Sequence, residues 1–303
     1  MLSSVLEAIG HTPLLRPARL GKGLPGTVLL KLENRNPGGS IKDRVALHLL
    51  RVALAEGTVP PGGTILEATS GNMGIGLALA ARALGLRTVL TMPESMSVER
   101  RKLMAAFGAE VVLTKAELGM KGAVDKASEL AKERDGFLVG QFSNPRTPEA
   151  HYIGTGPEIL ADTGGEVHAL VAGVGSGSTL MGTGRFLKER LPRMHLVAVE
   201  PAESAVLSGK APGPHGIQGI GAGFVPEVVD RRFIDEIVCI PTASAIATAR
   251  TLLAEEGISA GMSTGANVCA ALQLAARPDF AGKTIVTFVC DTGERYLSTE
   301  LFA

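Results

Sequence analysis

A single lysine raises the first question of chemistry in this sequence. It lies in the stretch PGGSIKDR, residues 37–44, where two glycines follow a proline and Lys42 stands at the start of a helical pattern. A primary amine in such a turn can bond covalently to a carbonyl compound and can carry a proton. The ordinary alternative is a solvated cation in the first turn of a helix, and only the rest of the chain distinguishes the two.

Three turns rich in glycine and hydroxyl side chains accompany this lysine. TSGNMGIG (69–76) follows the run TILEA, GVGSGST (173–179) follows HALVAG, and GMSTGAN (261–267) opens the helix before the last predicted strand. Main-chain N–H groups at the start of a helix bind carboxylate or phosphate. Each turn alone is also compatible with an ordinary helix cap, and GVGSGST is neither a Walker A motif nor a full GxGxxG. Together, one lysine and three polar turns are what an aldehyde cofactor carrying a phosphate requires.

An α/β framework is needed to position these turns. Short β-rich runs alternate with helical patterns, and several runs are apolar on both faces, which is typical of parallel strands covered by helices. The pattern predicts doubly wound parallel sheets, a passage between two sheets at 141–152 and a mobile or functional loop over 204–229. The predicted strands are 27–33, 64–68, 87–92, 110–114, 137–140, 168–173, 195–200, 235–240 and 283–290. The predicted helices are 41–56, 97–107, 119–134, 178–190 and 242–256.

Charge balance and cysteine content narrow the class of protein. The 303 residues carry 30 basic and 30 acidic side chains, so no excess charge points to nucleic acid, and we expect small molecules as partners. No apolar run approaches the roughly 20 residues of a membrane-spanning helix, and the N-terminus lacks the pattern of a signal peptide. Cys239, Cys269 and Cys290 have no metal-binding spacing. We interpret them as reduced core residues of a cytoplasmic protein, without a metal site.

The motifs follow the order found in one family. PGGSIKDR, TSGN, GSGST, QFSNP, TGPEI and the terminal GERYLST resemble the cysteine synthases, or O-acetylserine sulfhydrylases, which are pyridoxal-phosphate enzymes of the tryptophan-synthase-β fold type. The likeness runs from AIGHTPLL at 8–15 to the C-terminus. It implies an α/β protein of two doubly wound, mostly parallel-sheet domains with the cofactor in the cleft between them, and a homodimer. The smaller N-terminal domain would span 36–147, and the larger C-terminal domain 1–35 plus 148–303.

The resemblance also implies roles for individual residues. Lys42 would be linked to the aldehyde of pyridoxal 5'-phosphate at rest and would move Cα protons during turnover. Ser263 would face the pyridine nitrogen, where a neutral hydroxyl leaves the ring a weaker electron sink than a carboxylate would. Asn72 would bond the ring oxygen, and the phosphate would be held by Gly175, Ser176, Gly177, Ser178 and Thr179. The substrate carboxylate would be held by Thr69, Ser70, Gly71, Asn72, Met73 and Gln141.

The implied reaction replaces the acetoxy group of O-acetyl-L-serine by sulfide and gives L-cysteine and acetate. Acetate leaves without the help of an acid, so the six histidines are assigned no catalytic role. The resemblance also suggests the C-terminal tail of a serine acetyltransferase as a partner.

One departure from the family pattern leaves the substrate open. Met73 stands where the family's TSGNTG has a threonine, so either a hydroxyl donor to the substrate carboxylate is missing or the thioether fills the core. HGIQGIGAGFVP (215–226) favours O-acetylserine as the donor, but PGGSIKDR occurs in several branches of the fold. The alternatives are therefore a cystathionine β-synthase, an O-phosphoserine sulfhydrylase or a cysteine desulfhydrase on the same fold.

Two further alternatives lie outside these reactions. A catalytically inactive binding subunit is argued against by the presence of Lys42, Asn72 and Ser263. A nucleotide-binding dehydrogenase would need an acidic partner for the ribose within a βαβ fingerprint, and the glycine-rich turns lack one.

Overall fold

The structure, a computed structural model, describes residues 1–303. Strands and helices alternate along most of the chain. The strands are β1 (Leu14–Leu15), β2 (Thr27–Leu32), β3 (Thr64–Ala68), β4 (Arg87–Pro93), β5 (Glu110–Thr114), β6 (Phe137–Leu138), β7 (Ala169–Gly173), β8 (His195–Pro201), β9 (Glu236–Ile240) and β10 (Thr284–Val289). The α-helices are α1 (Lys42–Ala55), α2 (Asn72–Ala83), α3 (Val98–Ala106), α4 (Gly119–Glu133), α5 (Gly156–Asp162), α6 (Ser178–Arg190), α7 (Thr242–Glu256) and α8 (Met262–Ala275).

The chain divides into two compact units, each with its own sheet. The smaller unit comprises Met1–Ile9 and Asn36–Thr147, and the larger comprises Gly10–Arg35 and Pro148–Ala303. The first nine residues thus belong with the smaller unit, whereas the boundary expected from the sequence groups them with the larger domain. The physical reason is local packing, because the short helical turn at Val5–Ala8 contacts α2 and buries Leu6.

The sheet of the smaller unit has four parallel strands in the order β5-β4-β3-β6. All five residues of β3 are buried. Leu66 of this strand packs with Val89 and with Leu130 of α4, and Ala68 packs with alanines of the same helix. Helices α1 and α2 pack against each other, and α2 also contacts β3 and β4.

The sheet of the larger unit has six strands in the order β1-β2-β10-β7-β8-β9. All neighbours are parallel except β1 and β2, which pair antiparallel at one edge. Helix α8 contacts β7 and β10, and α7 packs on α8. The core of the larger unit is aliphatic, and its buried members include Leu30, Val171, Val199, Ala266 and Ile285. The prediction of an α/β fold with mostly parallel sheets is confirmed.

Most predicted elements are confirmed, and the differences have local causes. The strand expected over 137–140 is reduced to Phe137–Leu138, because the chain turns at Gly140, whose φ is +70°. The antiparallel strand Leu14–Leu15 and the helix Gly156–Asp162 have no counterpart among the predicted elements. The segment 204–229 forms no strand or α-helix, as expected of a long loop, and its first residue ends the short 3-10 helix Ala202–Ser204.

Two further expectations concern the state of the cysteines and the presence of membrane-spanning helices. All three cysteines are free thiols, but each is half-buried and not fully in the core as expected, and Cys269 packs against the edge of the aliphatic core of the larger unit. None of the helices combines the length and the apolar character that crossing a bilayer demands.

Candidate functional site

Lys42 is the first residue of α1 and follows a turn closed by hydrogen bonds. The Gly38 N–H donates to the Asp43 carboxylate at 2.5 Å, and the Lys42 N–H donates to Ser40 Oγ at 3.2 Å. A Cβ on Gly38 would lie 2.5 Å from Asp43 Oδ1, and Gly39 has a left-handed φ of +74°. Both glycines are therefore required for the turn that presents Lys42.

Helix α2 approaches the start of α1 closely. A Cβ on Gly76 would lie 3.2 Å from the Lys42 carbonyl oxygen and 3.3 Å from the Cα of Asp43. Since Gly76 follows Asn72, the first residue of α2, by one helical turn, the structure brings Lys42 beside the start of α2. The lysine and the TSGN turn, which are distant in sequence, are neighbours within the smaller unit.

The TSGN turn joins β3 to α2. Thr69 is buried, with 4% of its surface exposed, and its Oγ1 accepts a hydrogen bond from the Gly71 N–H at 3.2 Å. Ser70, Gly71 and Asn72 are half-buried. No side-chain hydrogen bond caps the N-terminus of α2. The first turn of this helix can therefore offer main-chain donors and a partial positive charge to a carboxylate.

Met73 is enclosed, with only 2% of its surface exposed. The start of α2 is tightly packed around it, because a Cβ on Gly74 would lie 2.8 Å from Met104 Cε. This burial supports the interpretation in which the thioether fills space, since such a side chain has little surface left for a substrate.

Gln141 lies beside the TSGN turn through a contact that sequence reasoning missed. Its N–H donates to Glu67 Oε2 at 3.1 Å, and Glu67 precedes Thr69 at the end of β3. Burial raises the pKa of Glu67 to about 7, although the main-chain N–H groups of Gln141, Gly140 and Ala68 oppose the shift. The signal in the sequence was an acidic residue within the otherwise apolar run TILEA.

The glycine-rich turn of the larger unit lies between β7 and α6 and is fixed by main-chain packing. A Cβ on Gly175 would lie 2.4 Å from the Gly219 carbonyl oxygen. Gly177, which caps α6, has a left-handed φ of +83°, and a Cβ there would lie 2.3 Å from Val229 Cγ2. No other residue type fits at these two positions without displacing the neighbouring chain.

The hydroxyl groups of this turn are ordered by their neighbours. Ser176 and Ser178 are buried, with 4% and 1% of their surfaces exposed, and their Oγ atoms lie 3.1 Å apart. Thr179 Oγ1 lies 3.3 Å from Nε2 of the buried His151, whose Nδ1 lies 2.9 Å from Thr155 Oγ1. His151 thus orients a predicted phosphate residue, a role that sequence reasoning missed because 28 residues separate the pair.

Ser263 is the second residue of α8 and is buried, with 4% of its surface exposed. A Cβ on Gly219, whose φ is +98°, would lie 3.5 Å from Ser263 Oγ. Gly219 therefore contacts Gly175 through its carbonyl oxygen and lies next to Ser263 on its other side. The structure brings these two predicted cofactor residues together within the larger unit.

The shape and chemistry of these residues suit pyridoxal phosphate. Gly175 and Gly177 form a cradle that a Cβ would fill, and two buried hydroxyl groups lie at the start of the 13-residue helix α6. The start of a helix of that length is a good phosphate site. Lys42 provides the primary amine in the smaller unit. No group of three His, Cys, Asp or Glu side chains is arranged to hold a metal ion.

Known proteins resemble this chain in sequence and fold along its whole length. The family model described as "Pyridoxal-phosphate dependent enzyme" matches residues 5–291. A cysteine synthase from Staphylococcus aureus is 46% identical over 303 residues, which cover 100% of this chain and 97% of that protein. The crystal structure of a cysteine synthase from Entamoeba histolytica matches with a TM-score of 0.97 and 44% identity, covering 100% of this chain and 91% of that one. An O-acetylserine dependent cystathionine β-synthase from Helicobacter pylori matches with a TM-score of 0.92 and 38% identity, covering 100% and 99%.

Proposed function

Because the chain belongs to the family of pyridoxal-phosphate dependent enzymes, we propose that it is a cysteine synthase. It replaces the acetoxy group of O-acetyl-L-serine by sulfide and releases L-cysteine and acetate. The observation that carries the proposal is the 46% identity to a cysteine synthase along the whole chain. The retained Lys42, Asn72 and Ser263 support it, since all three are needed by this chemistry.

The cofactor is held by residues from several turns. Its phosphate would be held by Gly175, Ser176, Gly177, Ser178 and Thr179. Ser263 would face its ring nitrogen, Asn72 would bond its ring oxygen, and Lys42 would supply the amine for its aldehyde. The buried hydroxyls of Ser176 and Ser178 and the start of α6 support this assignment of the phosphate residues. When bound, pyridoxal phosphate supplies the electron-withdrawing group that makes the substrate Cα–H acidic.

The protein residues bind the substrate and move its proton. Main-chain and side-chain donors of Thr69, Ser70, Gly71, Asn72 and Gln141 bind the α-carboxylate at the start of α2. Lys42 Nζ takes the proton from Cα and returns it after sulfide has added to the β-carbon. Ser263 presents a neutral hydroxyl, which favours elimination of a good leaving group over reactions that need a long-lived carbanion.

The proposal extends to assembly and location. We infer a homodimer in the cytoplasm that accepts the C-terminal tail of a serine acetyltransferase, because the resemblance to cysteine synthases implies both contacts. Three free cysteines support a reducing compartment. Sedimentation of the purified protein measures the dimer, and titration with a peptide copy of the tail measures the second contact. A monomer, or no binding of the peptide, contradicts the corresponding part.

A second candidate function is supported by one comparison. The Helicobacter pylori relative is named an O-acetylserine dependent cystathionine β-synthase, so a protein of this fold combines the same donor with a different thiol. In that case homocysteine takes the place of sulfide and the product is cystathionine. The residues that hold the cofactor and bind the amino-acid carboxylate keep the same roles in both reactions.

One experiment separates the two candidates. The purified holoenzyme is supplied with O-acetylserine plus sulfide, O-acetylserine plus homocysteine, or serine plus homocysteine, and cysteine and cystathionine are quantified. We expect cysteine from the first mixture at a rate at least tenfold above either cystathionine rate. Cystathionine as the main product contradicts the cysteine synthase assignment, and no product from any mixture contradicts both.

A further inference from the structure

Glu67 is a buried carboxyl group that the proposed chemistry does not use. It is 5% exposed and lies in β3, where the residues on either side, Leu66 and Ala68, pack against α4. Because side chains alternate across a strand, Glu67 lies on the face of the sheet opposite α4. On that face its carboxyl group meets the chain that follows β6.

The oxygens of Glu67 bind the main chain of the turn that carries Gln141. The Gln141 N–H donates to Oε2 at 3.1 Å, and the N–H groups of Gly140 and Ala68 also stabilise the charged carboxylate. A carboxylate that accepts several N–H groups can fix their positions more strongly than a neutral acceptor can. The contact joins residues 74 positions apart in the sequence.

This contact continues the sheet where the strand pairing stops. The last ladder bond runs from the Val139 N–H to the Leu66 carbonyl oxygen at 3.0 Å, after which Gly140 adopts a left-handed φ of +70°. The hydrogen bonds that follow within the turn are local. Beyond Val139, the hydrogen bond to Glu67 relates the position of Gln141 directly to β3.

Stability alone does not explain a carboxyl group at this place. No salt bridge involves Glu67, and burial raises its pKa to about 7. A buried carboxyl group without a cation is unfavourable compared with an apolar side chain of similar size. Groups with such perturbed titration are concentrated at functional sites.

We propose that Glu67 is a positioning residue, which fixes the Gln141 main chain relative to the Thr69–Asn72 turn so that both bind the carboxylate of one amino-acid substrate. The two turns follow neighbouring parallel strands, since the TSGN turn comes directly after β3 and the Gln141 turn comes after β6. A displacement of Gln141 separates donors that must act on one carboxylate, and it weakens binding before it changes the chemical step. The inference rests on the proposed function, which assigns Gln141 to the substrate.

Glu67→Asp and Glu67→Gln test the proposal in the holoenzyme. Aspartate withdraws the carboxylate by one methylene, and glutamine replaces one acceptor oxygen by a donor that faces N–H groups. We expect Glu67→Asp to raise KM for O-acetylserine about tenfold with kcat changed less than threefold, and Glu67→Gln to act in the same direction. The matched control is Glu256, which also accepts three main-chain N–H groups, from Ala18, Arg19 and Leu20. Glu256→Asp should lower stability without changing KM, and an equal change of KM in both variants overturns the proposal.

Hydrogen exchange gives a readout that does not depend on turnover. Amides in the segment 139–144 should exchange about tenfold faster in Glu67→Asp than in the wild-type protein, while amides of β4 keep their rates. If neither variant folds, the wild-type protein still decides, because a Gln141 amide without protection contradicts the hydrogen bond to Glu67.

Binding of L-alanine separates this inference from the proposed function. Alanine has the amino-acid carboxylate but no leaving group, so its dissociation constant reports amino-acid binding without the replacement reaction, and the comparison between wild type and variant isolates the effect of Glu67. If the wild-type enzyme makes no cysteine, the proposed function is wrong, yet weaker alanine binding by Glu67→Asp still supports positioning. Equal alanine affinity in the wild type and in both variants overturns the positioning role.

Discussion

Buried carboxyl groups fix the turns of the smaller unit, whereas close main-chain packing fixes the glycine-rich turn of the larger unit. The Asp43 carboxylate accepts a hydrogen bond from the Gly38 N–H in the turn before Lys42, and the Glu67 carboxylate accepts one from the Gln141 N–H. In the larger unit, by contrast, Gly175 is held against the Gly219 carbonyl oxygen with no room for a side chain.

This difference predicts that the turns of the two units fail for different reasons. A turn held by an ionisable group responds to pH, because protonation changes what the group can accept. A turn held by close packing is destabilised by added atoms, and its stability does not depend on pH. Substitutions can therefore be chosen to damage one kind of turn and spare the other.

Removing the amine should have the largest effect. We expect Lys42→Ala to lower the rate of cysteine formation at least about a thousandfold, because one group both bonds to the cofactor and moves the proton. The rate is measured with O-acetylserine and sulfide, and thermal unfolding checks that the fold is retained. Lys22→Ala, at an exposed position of the larger unit, should be indistinguishable from the wild type. A Lys42→Ala rate within about tenfold of the wild-type rate contradicts the assignment.

Met73→Thr tests whether packing also holds the start of α2. The side chain is 2% exposed, so we expect a loss of about 2–4 kcal/mol in the free energy of unfolding. KM for O-acetylserine should stay within about twofold of the wild-type value, since no donor to the substrate is gained. Urea unfolding and steady-state kinetics measure the two quantities. A tenfold lower KM with unchanged stability would return Met73 to the substrate carboxylate.

The pH dependence of stability should reveal the carboxyl group of Glu67. Burial raises its pKa from the ordinary value of 4.5 to about 7 in the folded protein, so the folded state retains the proton to a higher pH than the unfolded state does. The contribution of Glu67 to the free energy of unfolding is fully present below pH 4.5. It declines as the pH rises to about 7 and stays constant above that pH. The total loss is about 3 kcal/mol.

The difference between wild type and Glu67→Gln isolates this contribution. Free energies of unfolding from urea titrations at pH 4.5 and pH 8 give the change for each protein, and glutamine cannot titrate. We expect the wild type to lose about 3 kcal/mol more than the variant over this interval. Parallel pH profiles for the two proteins would show that Glu67 titrates normally, and the contrast between the units would lose its basis.

Adding one methyl group to each turn gives the smallest expected effect. A Cβ on Gly175 would lie 2.4 Å from a main-chain oxygen, whereas nothing lies within 4 Å of a Cβ on Gly71. We expect Gly175→Ala to cost about 1–3 kcal/mol in unfolding free energy and Gly71→Ala less than about 1 kcal/mol. Both are measured on the protein without cofactor at pH 7 and at pH 8.5. Equal losses, or a loss at Gly175 that changes with pH, would remove the distinction.

The elements of the fold were largely predictable, because their signals are local. The run TILEA at Thr64–Ala68 is apolar and β-branched, and it forms the buried strand β3 at the predicted residues. The helix predicted over 41–56 spans Lys42–Ala55 and starts at the lysine. The strand Leu14–Leu15 escaped prediction because two residues carry no periodicity. The helix Gly156–Asp162 begins with Gly and Pro, which are read more readily as a turn.

The residues of the candidate site were predictable by motif, but their supporting contacts were not. The chain gives no local sign that Glu67 bonds to Gln141 or that His151 lies against Thr179, because both pairs meet only through tertiary structure. Met73 was ambiguous for the same reason, since a thioether at the start of a helix fits both a core and a binding site. Its burial is a property of the packed unit, and the sequence pattern around it contains no equivalent information.

The main chain at Gly219 has a consequence for recombining this protein with its relatives. Its carbonyl oxygen bounds the space at Gly175, and its Cα side bounds the space at Ser263, so a single peptide unit sets the spacing between two segments far apart in the gene. A chimera with a crossover between 180 and 215 takes Gly175 from one parent and both Gly219 and Ser263 from the other. In such chimeras the main chain at Gly219 comes from one parent and the Gly175 turn from the other, so the two segments are not matched to each other. Crossovers before residue 169 transfer Gly175, Gly219 and Ser263 together. We therefore expect the three positions to be exchangeable only as a set, although they lie far apart in the sequence.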